Sequence, residues 1–339
     1  MASVSFSRCA SSGCTESAVS FSKQCWIHGS AEEILSNLRS GLENAQGPLI
    51  LNLKKIECES LDFSKKNLQG SLLSQARFSQ CHFIGTELNG ADMIGAHFHL
   101  CDLIGSDLRS AHLTRAQFSH SWLSHCDLRG AMIVETLFRE TDFTGSLLAD
   151  SVLLNADLRS AKNLRKRNFE DPDRQNRATL DEKNALIAFE SYRTLRHYFS
   201  DQGFYEDASW ASYRGLTMER EHFFKTKDPR YFPSLLMDLL SGYTEKPNRV
   251  ILASFTTIFL FAALYFILGV PQSVSAPAEP VSFLNCLYFS FITFTTVGFG
   301  DFVPKPSDFF RLLTCAEAFS GPFMAGLYVF TLTRRYSVH

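Results

Sequence analysis

The chain has 339 residues, a formal net charge of −2 at pH 7, 45% hydrophobic and 20% charged residues, and a mean hydropathy of −0.05. These values exclude a collagen-like chain, a disordered chain and a disulfide miniprotein, and the near-neutral charge gives no basis for nucleic-acid binding or acidic mimicry. They match a soluble protein of two or three domains, but an average conceals how the residues are distributed.

Residues 1–29 are rich in Ser and Cys and lack the basic-then-apolar order of a secretory leader. No stretch long enough to cross a bilayer precedes Val250. Everything upstream is therefore expected in the cytosol, where structural disulfides do not persist, so the nine Cys require another reading. Cys9, Cys14, Cys25 and His28 give C-x4-C-x10-C-x2-H. Three thiolates and an imidazole complete a tetrahedral Zn²⁺ shell, closed and hence structural, and metal alone can order so short a segment. A disordered or simply packed tail is the alternative.

Residues 30–48 predict one short helix from Ser30 to Asn44. Ser30 is placed to cap it, Glu32 and Glu33 sit in its first turn, and Ile34, Leu35, Leu38 and Leu42 form its apolar stripe. From residue 49 to 164 the dominant order is a period of five. Leu53, Phe63, Leu68 and Phe78 begin a series that runs to Leu158, with only Cys58 not a large hydrophobe. Two positions before each lies a residue that soon becomes small, as at Ser71, Ala76, Cys81, Cys101 and Cys126. Five fits neither the 3.6 of a helix nor the 2 of a strand. It fits a coil that turns a corner every five residues, with Leu or Phe filling the axis and the small residue beside it; the Cys there read as core filler.

Units such as Ala91-Asp92-Met93 and Ala156-Asp157-Leu158 resemble the pentapeptide-repeat family. The resemblance implies a right-handed quadrilateral β-helix, here of about five coils stacked about 4.8 Å apart. Some members of that family mimic DNA with an acidic face. Residues 51–164 carry 11 Lys/Arg and 13 Asp/Glu, interspersed, so that role is not expected. Cys-x-x-His starts like this one also resemble those preceding related pentapeptide-repeat rods, which supports zinc.

Residues 165–245 read as a cytosolic helical linker. Asn163 to Pro172 breaks the repeat with Arg165-Lys166-Arg167. Helices are predicted over Thr179–Asp201, Tyr205–Thr226 and, amphipathic and leading to the membrane, Tyr231–Gly242. No catalytic constellation stands out, and no enzyme is expected.

Residues 246–339 carry the chemistry. Val250–Val270 is uncharged and long enough to span a bilayer core. A second span is predicted over 310–333. Lys246 and Arg249 flank the first span and Arg334-Arg335 the second, so both termini are expected in the cytosol. Between them, residues 283–295 form an aromatic segment too short to cross once room is left for the loop behind it. It reads as a re-entrant helix, with Ser282 placed to cap it. Then comes Thr295-Thr296-Val297-Gly298-Phe299-Gly300-Asp301.

This TTVGFGD segment, over residues 295–301 with the filter at 296–301 and set between two spans, resembles the selectivity filter of the two-transmembrane potassium-channel pore. The resemblance implies that carbonyls of Thr296, Val297, Gly298 and Phe299, with the Thr296 hydroxyl, replace the hydration shell of a permeant K⁺. Gly298 and Gly300 then reach backbone conformations open to few other residues. One loop supplies a quarter of such a ring, so a homotetramer follows. Phe299 stands where Tyr is more usual and cannot make the phenolic hydrogen bond. Asp301 at the outer mouth is a cation attractor or a brace. Gly321, with Pro322, is the candidate gating hinge and Gly326 the second, against simple close packing of small residues. Glu317 inside the second span is expected to brace the pore helix near Thr293 or Thr295, a role open to its protonated form, with a water-facing position as the alternative. No arginine series of a voltage sensor lies in either span.

The expectation is thus a potassium-selective homotetramer in a plasma membrane, of the bacterial inner-membrane kind. The pentapeptide region would gate or assemble it, with an unidentified cytosolic protein or ligand as a further partner and no nucleic acid. The alternative is an interaction scaffold in which the pore segment is only a membrane anchor and does not conduct.

Overall fold

The structure, a computed structural model, describes residues 7–45, 47–172, 177–178, 180–275 and 281–336. It divides into two compact units, residues 1–222 and 223–339.

The period of five becomes a parallel solenoid. Strands β1 (Glu57–Glu59), β2 (Arg77–Ser79), β3 (His97–His99), β4 (Gln117–Ser119) and β5 (Leu137–Arg139) stack in sequence order with a step of one coil. Cys58, Phe78, Phe98, Phe118 and Phe138 fall in register. The rings of Phe78, Phe98, Phe118 and Phe138 stack at 5.1, 4.9 and 5.3 Å, close to the strand spacing of about 4.8 Å. The chain turns where every fifth residue takes a left-handed φ, for instance Gly85, Gly105 and Leu100.

The small inward positions hold more than filler. Cys101 Sγ donates to the Phe78 carbonyl at 3.4 Å, Ser121 Oγ to Phe98 at 3.2 Å, Cys126 Sγ to Leu103 at 3.0 Å and Thr136 Oγ1 to Leu113 at 2.7 Å. Each ties its coil to the one before, which is why Ser, Thr and Cys are tolerated in a dry interior. Burial pushes the Cys126 thiol up to about 12, so it stays protonated and able to donate.

Both ends of the solenoid are covered, as a stack of open ladders requires. At the start, α1 (Ala31–Asn44) buries Ile34, Leu38 and Leu42 in the same core as Leu51 and Leu53. Ser30 occupies the cap position but its side chain makes no capping bond. The segment before α1 is pinned to the first coil by Asn52 Nδ2 to the Ala18 carbonyl at 2.6 Å and by Lys55–Glu16 at 2.6 Å. At the far end a 3-10 turn, Lys166–Phe169, buries Asn168, whose amide donates to the carbonyls of Phe143 and Ser146. A short antiparallel pair comes next, β6 (Glu170–Asp171) and β7 (Arg177–Ala178). Helix α2 (Ala185–Asp201) closes the core, with Tyr198 Oη donating to the Ala161 carbonyl at 3.0 Å. The helix expected from Thr179 starts six positions later. Thr179 lies outside the described residues, and the Asn184 side chain accepts from the amides of Leu186 and Ile187, fixing the start there. Helix α3 (Tyr205–Thr226) is next in the chain.

The second unit begins in the last turn of α3 and holds α4 (Tyr231–Ser241), α5 (Pro247–Leu268), β8 (Pro271–Ser273), α6 (Phe283–Phe294), β9 (Phe302–Pro304) and α7 (Asp308–Tyr336). Helices α5 and α7 are long and apolar enough to cross a membrane. Pro247 opens α5, and Gly269, at φ 60°, closes it two residues short of the expected Val270. α6 lies against both long helices, and β8 pairs antiparallel with β9.

Candidate functional site

The 12 residues of α6 reach about 18 Å, too short to cross a bilayer. Ser282 caps it, accepting from the Asn285 amide at 3.2 Å. Its C-terminal end, with the partial negative charge of the helix dipole, runs straight into Thr296–Asp301. The amides of Val297 and Gly298 both bond back to the Ile292 carbonyl, at 3.0 and 3.3 Å, and anchor the loop on the helix. Thr296, Gly298 and Gly300 have φ of 57°, 51° and 80°. Left-handed residues at alternate positions let successive carbonyls face one side. Thr296, a β-branched residue in that region, is not signalled by the sequence. Its hydroxyl donates to the Thr295 carbonyl at 2.7 Å. Val297 and Phe299 are exposed on the chain's own surface.

Asp301 is held on several sides. Its side chain accepts from the Phe302 amide at 3.2 Å, and its carbonyl accepts from the Val274 amide at 3.0 Å. The β8–β9 pairing supports the same corner.

Glu317 is fully buried, and one of its carboxyl oxygens meets Ser290 of α6 rather than Thr293 or Thr295. Thr295 instead turns its hydroxyl back onto the Phe291 carbonyl at 2.8 Å. The second Glu317 oxygen accepts from Tyr265 Oη of α5 at 2.6 Å. Ser290 Oγ also faces the Ile258 carbonyl at 2.9 Å. One hydroxyl hydrogen then meets two acceptors, and every contact is satisfied when Glu317 carries a proton of its own.

At Gly321 a Cβ would overlap the carbonyl oxygen of Phe294, whereas at Gly326 it would meet nothing within 4 Å. Close packing against the end of α6 is thus one constraint that calls for glycine at 321. Pro322 lies inside the unbroken α7 and removes one helical hydrogen bond. An apolar cavity of about 270 Å³ adjoins this point, lined by Val250, Phe255, Phe294, Gly321, Met324 and Tyr328.

In the first unit, Cys9, Cys14, Cys25 and His28 converge, with their ligand atoms all within 4.8 Å of one another. Cys9 Sγ and Cys14 Sγ lie 3.8 Å from His28 Nδ1 and Cys25 Sγ respectively, and Cys25 Sγ lies 3.2 Å from His28 Nδ1. A tetrahedron with Zn–S of about 2.3 Å has sulfur–sulfur edges of about 3.8 Å, so the residues fit that ion. The Cys25 amide donates to Cys9 Sγ at 3.3 Å, and this bond, followed by one from the Ser11 backbone, lowers the Cys9 thiol to about 6.

Comparison with known proteins gives the same division. Residues 253–337 match the ion channel family, and residues 62–99 and 96–130 match pentapeptide repeats. Two-pore potassium channel 1 of Arabidopsis thaliana is 39% identical over 75 residues, covering 20% of each chain. Two pore potassium channel a of Oryza sativa is 37% identical over 106 residues, covering 27% of this chain and 30% of that one. The chain thus spans less than a third of the curated relatives it matches. A pentapeptide repeat protein from the cyanobacterium Cyanothece 51142 overlaps 33% of this chain and 84% of its own (15% identity, TM-score 0.27). One from the Arabidopsis thaliana thylakoid lumen overlaps 33% and 71% (24% identity, TM-score 0.20). The chain thus joins a stretch that matches pentapeptide repeats to one that matches the ion channel family, and neither matched family is an enzyme.

Proposed function

We propose that the chain forms a potassium-selective pore by assembling as a homotetramer, each copy giving one Thr296–Asp301 loop. The observation that carries this reading is the alternation of left-handed φ at Thr296, Gly298 and Gly300 in a loop anchored on the end of a short apolar helix. Four such loops around one axis would supply rings of carbonyl oxygens in place of the water of a K⁺ ion. Phe299 leaves the outer filter without a phenolic anchor, and Asp301, whose carbonyl accepts from the Val274 amide, takes over part of that support.

In this reading Glu317 ties α5, α6 and α7 together behind the filter, and α7 bends at Gly321-Pro322, where the adjoining cavity gives it room. Both termini lie in the cytosol of a cell with a plasma membrane, by the basic residues that flank the spans. The pentapeptide region assembles the pore or biases its opening. Its amino-terminal Cys9–Cys14–Cys25–His28 group holds one structural Zn²⁺.

Flux into liposomes tests the function. Protein reconstituted in them is expected to pass K⁺ faster than Na⁺ and to lose flux on Gly298→Ala. Removing residues 1–164 is expected to change the open fraction or the assembly while leaving the ion preference. Equal K⁺ and Na⁺ flux refutes the selectivity, and no flux from an intact tetramer refutes the channel.

A further inference from the structure

The three sulfurs of the amino-terminal Cys/His group are not equivalent. Cys9 and Cys25 are 7% and 4% exposed, whereas Cys14 is half-buried and reachable from solvent. Cys9 Sγ is also engaged by the Cys25 amide at 3.3 Å. Cys14 Sγ lies 3.8 Å from Cys25 Sγ, and a disulfide draws two such sulfurs in to about 2.0 Å. Cys14 is thus the sulfur that a solute meets first, with Cys25 beside it. Of the other six Cys, Cys58, Cys81, Cys101, Cys126 and Cys286 are buried, and Cys315 is exposed.

The loop between Cys14 and Cys25 carries the cover of the first coil. Glu16 pairs with Lys55 at 2.6 Å, and the Ala18 carbonyl accepts from Asn52 Nδ2 at 2.6 Å. Ser20 Oγ accepts from the Asn52 amide at 2.7 Å, and Val19 is 2% exposed in the solenoid core. All four residues lie between Cys14 and Cys25 in the chain, while Cys9 and His28 lie outside that loop. A bond from Cys14 to Cys25 therefore closes the loop that holds the cover and leaves Cys9 and His28 out.

We propose that Cys14 and Cys25 are a redox-sensitive pair: hydrogen peroxide turns them into a disulfide, the site releases its Zn²⁺, and the cover stays shut on the new bond. This rests on the reading of the group as a zinc site. The Cys14 thiolate attacks one peroxide oxygen, the O–O bond breaks and hydroxide leaves, giving a sulfenic acid. The Cys25 thiolate attacks the Cys14 sulfur, the S–O bond breaks and a second hydroxide leaves as the S–S bond forms. The two thiolates have lost two electrons and peroxide has gained them; the hydroxides take up protons from solvent. Cys9 and His28 remain, and two ligands do not complete a four-coordinate shell. A thiol reductant reverses the step, as suits a compartment in which disulfides are transient.

Full-length protein, its zinc content first measured, is treated with hydrogen peroxide and compared with protein treated with a chelator. A metallochromic dye reads zinc release, tandem mass spectrometry places the bridge, and hydrogen exchange reads the cover. Release of about one Zn²⁺ per chain is expected, with a Cys14–Cys25 bridge that dithiothreitol removes. Amide exchange in β1 is expected to stay within about two-fold of the untreated protein, while chelation speeds it. Cys315→Ser should release zinc as fully as the unaltered chain. Cys9→Ser, which keeps both sulfurs of the pair, should still form the bridge. Zinc retained while Cys315 oxidises, or a bridge through Cys9, overturns the proposal. So does β1 exchange as fast in the oxidised as in the chelated protein. Protein that holds no zinc before treatment refutes the zinc reading itself, and the proposal with it.

Discussion

Tyr265 Oη donates to Glu317 Oε2 at 2.6 Å and so links the two membrane-crossing helices through a buried carboxyl. The other oxygen of that carboxyl meets Ser290 on the short helix between them. Removing Glu317 leaves both hydroxyls without this partner and opens a void. Glu317→Ala is therefore expected to lose about 3 kcal/mol. Glu317→Gln keeps one donor and one acceptor and is expected to lose less than about 1 kcal/mol. Tyr265→Phe should lie near 1 kcal/mol, since membrane hydrogen bonds contribute modestly. Thermal melting of the detergent-solubilised protein checks the order Ala, Phe, Gln. Gln as damaging as Ala would show that Glu317 acts as a carboxylate.

Gly321 and Gly326 are expected to separate cleanly. A methyl at Gly321 overlaps the Phe294 carbonyl, at the point where the filter loop begins its approach, and backbone there has little freedom to yield. Gly321→Ala is expected to cost about 3 kcal/mol, or to abolish recovery of folded protein, through overpacking. Gly326→Ala meets nothing and gains helix propensity of up to about 1 kcal/mol. Yield and melting temperature of the two variants measure the contrast; similar losses at both would show that Gly326 is packed by another copy.

The solenoid was legible because it imposes a local rule on residue type: every axis position from Phe63 to Leu158 must be large and apolar. The left-handed turns at Gly298 and Gly300 were legible in the same way, since glycine takes that conformation most readily. The partner of Glu317 was not legible. Ser290, Thr293 and Thr295 lie within one and a half turns of the same helix, and only the packed structure shows that Ser290 faces Glu317 while Thr295 bonds its own helix.

Acid is expected to loosen the first unit while neutral pH leaves it level. The Lys55 ammonium beside Glu16 holds that carboxyl below its usual range; Ser64 does the same for Asp62 and the Arg159 guanidinium for Asp157. Each folded value is depressed. The contribution is therefore fully present above the ordinary carboxylate range of about 4 and is lost as pH falls through the lowered folded values. These groups are mostly exposed, so each effect is small and screened by salt. Melting temperature should be flat from about pH 6 to 8 and fall below about pH 4, less steeply in high salt. A rise in stability on acidification would contradict the sign.

Zinc is expected at one ion per chain in the purified protein. Cys14→Ser and Cys25→Ser each remove a ligand from the closed shell and are expected to abolish stoichiometric zinc, while Cys315→Ser, in the exposed part of α7, should leave it unchanged. The consequence reaches beyond the metal. The segment that carries the ligands covers the first coil through Asn52 to the Ala18 carbonyl and Glu16 to Lys55. With the ion removed, that cover loses its cross-link and the first ladder edge is exposed. Chelation should therefore lower the melting temperature of the solenoid and speed amide exchange in β1 before β5. Metal analysis gives the stoichiometry, and hydrogen exchange with and without chelator gives the order; exchange unchanged in β1 would show that the segment stays in place without metal.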